Sequence, residues 1–191
     1  MNKIKLRVVL LVILTSALIS CAKKGTVTRF VRQEIDPSYV KRVAVLKFEN
    51  HTKDKNAGER LRDITTTEIL AMGLFDVVDK AVVAIILQEE TGGKAEALDR
   101  ITVKRIAKKL GVQGLVIGSV DTYEEKRNGN YSYPVVALTL RLIDGSSGQI
   151  IWQASGTETG YSTVERLFGI APKDLSQVSY QLVRRLLRTL K

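Results

Sequence analysis

Few residues in this chain could carry covalent chemistry: among 191 residues there is one cysteine, Cys21, and one histidine, His51. A single cysteine excludes an intrachain disulfide, and one cysteine with one histidine excludes a Cys/His zinc cluster. A Ser-His-Asp triad would have to be built on His51. That residue stands in a polar stretch, 49–56, with no Ser or Cys nucleophile motif beside it. Loops after strands do carry catalytic groups, but this one reads as holding an exposed structural histidine. Thr91-Gly92-Gly93-Lys94-Ala95 looks like the tail of a phosphate-binding loop. It lacks the first glycine at the right distance and has Ala where a magnesium-binding Ser or Thr is needed. Hence no catalytic residue, metal, cofactor or small-molecule substrate is expected.

Cys21 has a more informative setting. Lys3, Lys5 and Arg7 form a positive n-region, and residues 8–19 form a run of twelve mainly apolar residues. That length suits a signal-peptide h-region and falls short of the roughly 20 residues that span a bilayer as a helix. Leu18-Ile19-Ser20-Cys21 then resembles a bacterial lipobox, in which the thiol is acylated with chains such as palmitate and the leader is cut just before it. Ala22 follows in place of an inner-membrane retention Asp, so the resemblance implies an outer-membrane anchor facing the periplasm. The expected organisation is a lipoprotein signal peptide (1–20), the lipidated Cys21 with a short basic linker (21–38) and one folded domain (39–191).

The formal charge of +10 falls to +7 once the leader is removed. Basic charge can mark nucleic-acid binding, but no groove-reading motif or aromatic stacking pattern accompanies it, so no nucleic-acid partner is expected. Lys23, Lys24, Arg29 and Arg32 crowd the linker, where they can lie against anionic headgroups or belong to a solvated tether. Some 17 linker residues reach at most roughly 60 Å when extended, which holds the domain near its membrane.

These features need a scaffold. Residues 42–48 are apolar on both faces until their end, the pattern of an interior strand. A helix is predicted over 57–72 with Leu61, Ile64, Ile69 and Met72 in its apolar set, closed by Gly73. A strand at 74–79, a helix at 81–90 and a short helix at 102–110 ending on Gly111 follow. Strands at 115–123, 136–143 and 150–154 come next, with Asn128-Gly129 turning inside a longer loop that includes the charged run 124–127. The last helix, 175–190, opens with capping-box spacing at Asp174 and Gln177, and its cationic end suits the helix dipole. The order β-α-β-α-α-β-β-β-α predicts an α/β (α+β) sandwich: a mixed sheet with a parallel β-α-β crossover, a C-terminal antiparallel meander and covering helices.

Val43-Ala44-Val45-Leu46-Lys47-Phe48-Glu49-Asn50 and Gly73-Leu74-Phe75-Asp76-Val77-Val78-Asp79 are similar to the opening of CsgG-like outer-membrane lipoproteins, the group of curli-assembly CsgG, PelC and LpoB. Val116-Ile117-Gly118-Ser119-Val120, Leu140-Arg141-Leu142-Ile143-Asp144 and Gly148-Gln149-Ile150-Ile151-Trp152 extend the resemblance over roughly residues 40–160. It implies an anticodon-binding-domain-like periplasmic fold and a non-enzymatic role. The leading expectation is an outer-membrane lipoprotein that oligomerises, with a ring as one form, as an accessory of an envelope export or assembly apparatus. Its partners would be that machinery and the membrane. The alternative is an LpoB-like regulator that activates a peptidoglycan synthase, although a short tether does not reach across the periplasm. Pore formation is not expected, because the long alternating hairpins serve the domain sheet. Tyr161, Leu167, Phe168 and Ile170, between the last strand and the last helix, are candidate contacts with lipid or a neighbouring subunit. Covering the edge of the core is the alternative role for them.

Overall fold

The computed structural model describes residues 26–34, 36–92, 99–129, 131–160 and 173–190. Strands β1 (Val27–Val31), β2 (Arg42–Val45), β3 (Glu49–Asn50), β4 (Asp76–Val77), β5 (Gly114–Asn128), β6 (Tyr131–Asp144) and β7 (Ile150–Thr159) form one sheet. Helices α1 (Ala57–Ala71), α2 (Lys80–Thr91), α3 (Arg100–Leu110) and α4 (Leu175–Leu187) cover it, and a 3-10 turn at Pro37–Tyr39 links β1 to β2. The strand order is β1-β7-β6-β5-β2-β4, with β3 paired to β5 off that path. As expected, β2 runs parallel to β4 across the α1 crossover, and β5, β6 and β7 form an antiparallel meander. The predicted mixed α/β fold is the one observed.

Alternation decides which layer each side chain joins. Val43 and Val45 of β2 enter one apolar cluster with α1 and α4, whereas Ala44 and Leu46 enter a second with α2 and α3. This explains the strand's two apolar faces. On the first side Val178, Leu182, Val183, Leu186 and Leu187 of α4 are fully buried against Leu138, Leu140, Leu142 and Trp152. Each such side chain contributes about 1.5–3 kcal/mol. From the sheet, the cluster under α2 and α3 takes Ala44 of β2, Leu115 of β5 and Ile143 of β6, with Ile117 and Ile150 partly buried against it. Farther along that face Thr139, Arg141, Gln153 and Ser155 stay partly exposed.

Local signals set most boundaries. Gly73 and Gly111 adopt φ of +60° and +62° after their helices, a conformation that costs glycine least. The capping box at Asp174 and Gln177 is present.

Three readings change. Val27–Val31, within the segment read as a linker, is an edge strand antiparallel to β7. It is held mainly by its ladder and buries little side chain, so no apolar alternation marks it. The strand expected over 74–79 keeps only Asp76–Val77 in the ladder, while Leu74 and Phe75 turn to the core. The expected long loop around Asn128-Gly129 is a tight hairpin: Asn128 pairs with Tyr131, and Glu124 to Arg127 are ladder residues.

Candidate functional site

The residues considered for chemistry remain apart. The His51 backbone N–H donates to the Val120 carbonyl at 3.0 Å, fixing the end of β3. Its imidazole is exposed, with Nε2 3.7 Å from a Glu49 carboxylate oxygen. Thr91 ends α2 and Gly92 is its left-handed cap at φ +60°. The Gly-rich stretch therefore follows a helix C-terminus, where carbonyls point outward, whereas a phosphate loop precedes a helix and presents N–H groups. Residues 93–98, Cys21, and Tyr161, Leu167, Phe168 and Ile170 lie outside the described residues. Among the described residues no group of three or more His, Cys, Asp or Glu could hold a metal.

The folded charge network is structural. Glu68 of α1 is buried and accepts two bonds of 2.8 Å from Arg184 Nε and Nη2 on α4. Arg185 meets Glu158 of β7. Arg62, also buried, donates from Nε to the Val45 carbonyl at 3.1 Å. Arg184 and Arg185, in the cationic end of α4, are therefore held in ion pairs. On the other face Glu90 of α2 receives Arg105 and Lys109 of α3, each at 2.8 Å. The residue types were legible in the sequence. The pairings were not, because Glu68 and Arg184 are 116 positions apart.

Asp144 closes β6 with a polar knot. Its carboxylate accepts from the hydroxyls of Ser146 and Ser147 at 2.6 and 2.5 Å and from Tyr39 at 2.8 Å. Burial pushes this carboxyl up, but the hydrogen bonds outweigh it and hold the group below the usual carboxylate range. Burial, then the bond to Asp144, pushes the Tyr39 phenol up. Every member bonds inside the knot, which pins the Pro37–Tyr39 turn to the β6–β7 turn.

A groove of about 640 Å³ opens beside the 3-10 turn Arg188–Leu190 that follows α4, lined by Val31, Val40, Leu74, Phe75 and Leu190 together with Arg29 and Lys41. Asp36 also lines it, with its carboxylate engaged by Ser38. The hydroxyls that line it are engaged as well, Ser38 donating to Asp36 and Thr189 donating to the Leu186 carbonyl while accepting from the Trp152 indole N–H. Among the described residues no helix is long and apolar enough to cross a membrane.

Comparison with known proteins fits this architecture. No curated protein matches the chain. PelC from Paraburkholderia phytofirmans, solved as a dodecamer of a single leucine-to-methionine variant, superposes with a TM-score of 0.62 at 25% identity, covering 87% of this chain and 97% of that one. Lipoprotein GNA1162 from Neisseria meningitidis superposes at 0.57 with 18% identity, covering 78% and 97%. The C-terminal domain of LpoB from Salmonella enterica reaches 0.46 at 20% identity over 61% of this chain and 81% of that one, too distant to bear on function. The CsgG-like resemblance thus narrows to a lipoprotein family with a PelC-like fold. The model of one family matches residues 33–183, most of the chain, and the chain belongs to it: the GNA1162-like lipoprotein family.

Proposed function

We propose that this protein is a non-enzymatic lipoprotein, anchored through acylated Cys21 to the periplasmic face of the outer membrane. There it self-associates as an accessory of an envelope export or assembly apparatus. The observation that carries this reading is the likeness, over nearly the whole of its length, to a PelC solved as a dodecamer. The leader and lipobox-like segment supply the anchor. With residues 1–20 as signal peptide and the domain beginning at β1, only Ala22 to Thr26 separate the anchor from the sheet. Six Cα steps from Cys21 to Val27 reach at most roughly 22 Å. A tether of that length favours a partner at the membrane over a synthase reached across the periplasm.

Loss of the chain, or its replacement by Cys21→Ser, is expected to reduce export of a surface polymer or protein. Surface, periplasmic and membrane fractions read this directly. Unchanged export together with weaker peptidoglycan cross-linking would overturn the proposal in favour of a synthase activator.

A further inference from the structure

One end of the sheet gathers features that are distant in sequence. Val27, Gly156, Leu138 and Val120 lie at one level, each paired with the next across β1, β7, β6 and β5. β1 runs opposite to β5, so its N-terminal end at that level faces the side toward which β5 runs on to Asn128. Its neighbours stop early: β3 flanks β5 only to Val120, and β7 flanks β6 only to Val135. Gly160 adds a single N–H bond to the Pro134 carbonyl. Among the described residues, 124–128 and 131–133 therefore form a two-stranded ribbon that outruns the sheet, and β5 is exposed from Glu124 onward.

Two lengths can be compared. Eight residues from Val120 to Asn128 rise roughly 26 Å. The tether from Cys21 to Val27 reaches roughly 22 Å at most, and the Thr26 carbonyl, which accepts from Thr157 N–H at 3.2 Å, shortens its free part further. With the strands upright, the ribbon tip meets the bilayer surface before the tether is taut. Beyond that level β5 has eight residues, 121–128, and β6 seven, 131–137, short of the roughly 9–11 that a membrane-crossing strand needs.

The ribbon's chemistry is graded along its length. Glu124 and Glu125 pair with Val135 and Pro134 nearer the domain, Lys126 and Arg127 with Tyr133 and Ser132 above them, and Asn128 with Tyr131 at the turn. Lys126, Asn128, Tyr131 and Tyr133 share one face by alternation, and Tyr131 is 53% exposed. Tyrosine prefers the headgroup level and lysine or arginine prefers anionic lipid, while the acids stand farthest from the tip. Resting on the proposed anchor at Cys21, we infer that the β5–β6 ribbon tip seats in the headgroup layer of the anchoring membrane as a second contact. It fixes the domain's orientation without crossing the bilayer.

Tryptophan quenching tests this on the full lipidated chain. Trp152 is buried and serves as a constant background. Tyr131→Trp, Tyr133→Trp and, at the far end of the molecule, Lys108→Trp are each reconstituted into vesicles of phosphatidylethanolamine and phosphatidylglycerol at three to one. Flotation confirms binding. Lipid brominated near the headgroup is expected to quench the two ribbon variants about twofold and to spare Lys108→Trp, as interfacial seating requires. If all three proteins float and neither ribbon variant is quenched, the inference falls while the anchor stands. Stronger quenching by bromine near the chain ends also overturns it, because the ribbon would then enter the hydrocarbon. If the lipidated protein floats no better than Cys21→Ser, the anchor reading fails and takes this inference with it.

Discussion

Arg184 on α4 meets Glu68 on α1 through two bonds of 2.8 Å, and the two partners are unequally hidden: the Glu68 side chain is 3% exposed and that of Arg184 52%. The pair clamps together the two helices over the larger core. It also makes an asymmetric prediction, because a buried carboxylate left without its cation costs more than a half-exposed cation left without its carboxylate. Arg184→Met is expected to lower the melting temperature more than Glu68→Gln. The double variant should recover part of the loss, and thermal unfolding of the three proteins checks the order.

Gly118 is required by Phe48. A Cβ at position 118 would stand 2.6 Å from Phe48 Cδ2, and Phe48 is itself buried. Gly118→Ala should therefore destabilise the domain by about 1–3 kcal/mol, the usual cost of overpacking. Adding Phe48→Leu should return part of it. Urea denaturation measures both, and unchanged stability in Gly118→Ala would show that the ring can move aside.

The Asp144 knot makes stability depend on pH. Its folded carboxyl titrates below the ordinary value, so its contribution is fully present above the unfolded value of about 3.9 and is lost as pH falls toward the folded one. Asp144→Asn is expected to cost about 1.5–3 kcal/mol at neutral pH, the range for hydrogen bonds to a charged group. The gap from the natural chain should narrow below pH of about 4. Denaturation at two pH values reads this.

Much of this architecture follows from local rules that act within a few residues. The double-faced strand at 42–45, the glycine caps after α1 and α3 and the capping box of α4 each have a short-range cause. Features that depend on distant partners were not legible. Strand β1 has no apolar stripe because its stability comes from pairing with residues 152–156, so its composition reads as a tether. Residues 124–128 and 131–132 of the ribbon read as a loop because they are exposed on both faces, which removes the alternation that marks a half-buried strand. The resemblance to a phosphate loop failed for a local reason, its glycine serving as a helix cap. The candidate site residues Cys21, Tyr161, Leu167, Phe168 and Ile170 rest on leader pattern and apolar composition, which describe chemistry without placing it.

Leu167→Ser combined with Phe168→Ser is expected to leave the melting temperature within a degree or two while reducing assembly or membrane association. The basis is that surface apolar residues contribute little to the fold when they serve a contact. A large loss of stability would assign these residues to the core edge.

Self-association at the membrane is the central claim, and the mass of the lipidated full chain extracted in mild detergent tests it most directly. Native mass spectrometry is expected to give one closed assembly of fixed copy number, each protomer carrying acyl chains at Cys21. A monomer across the working concentration range would contradict the account.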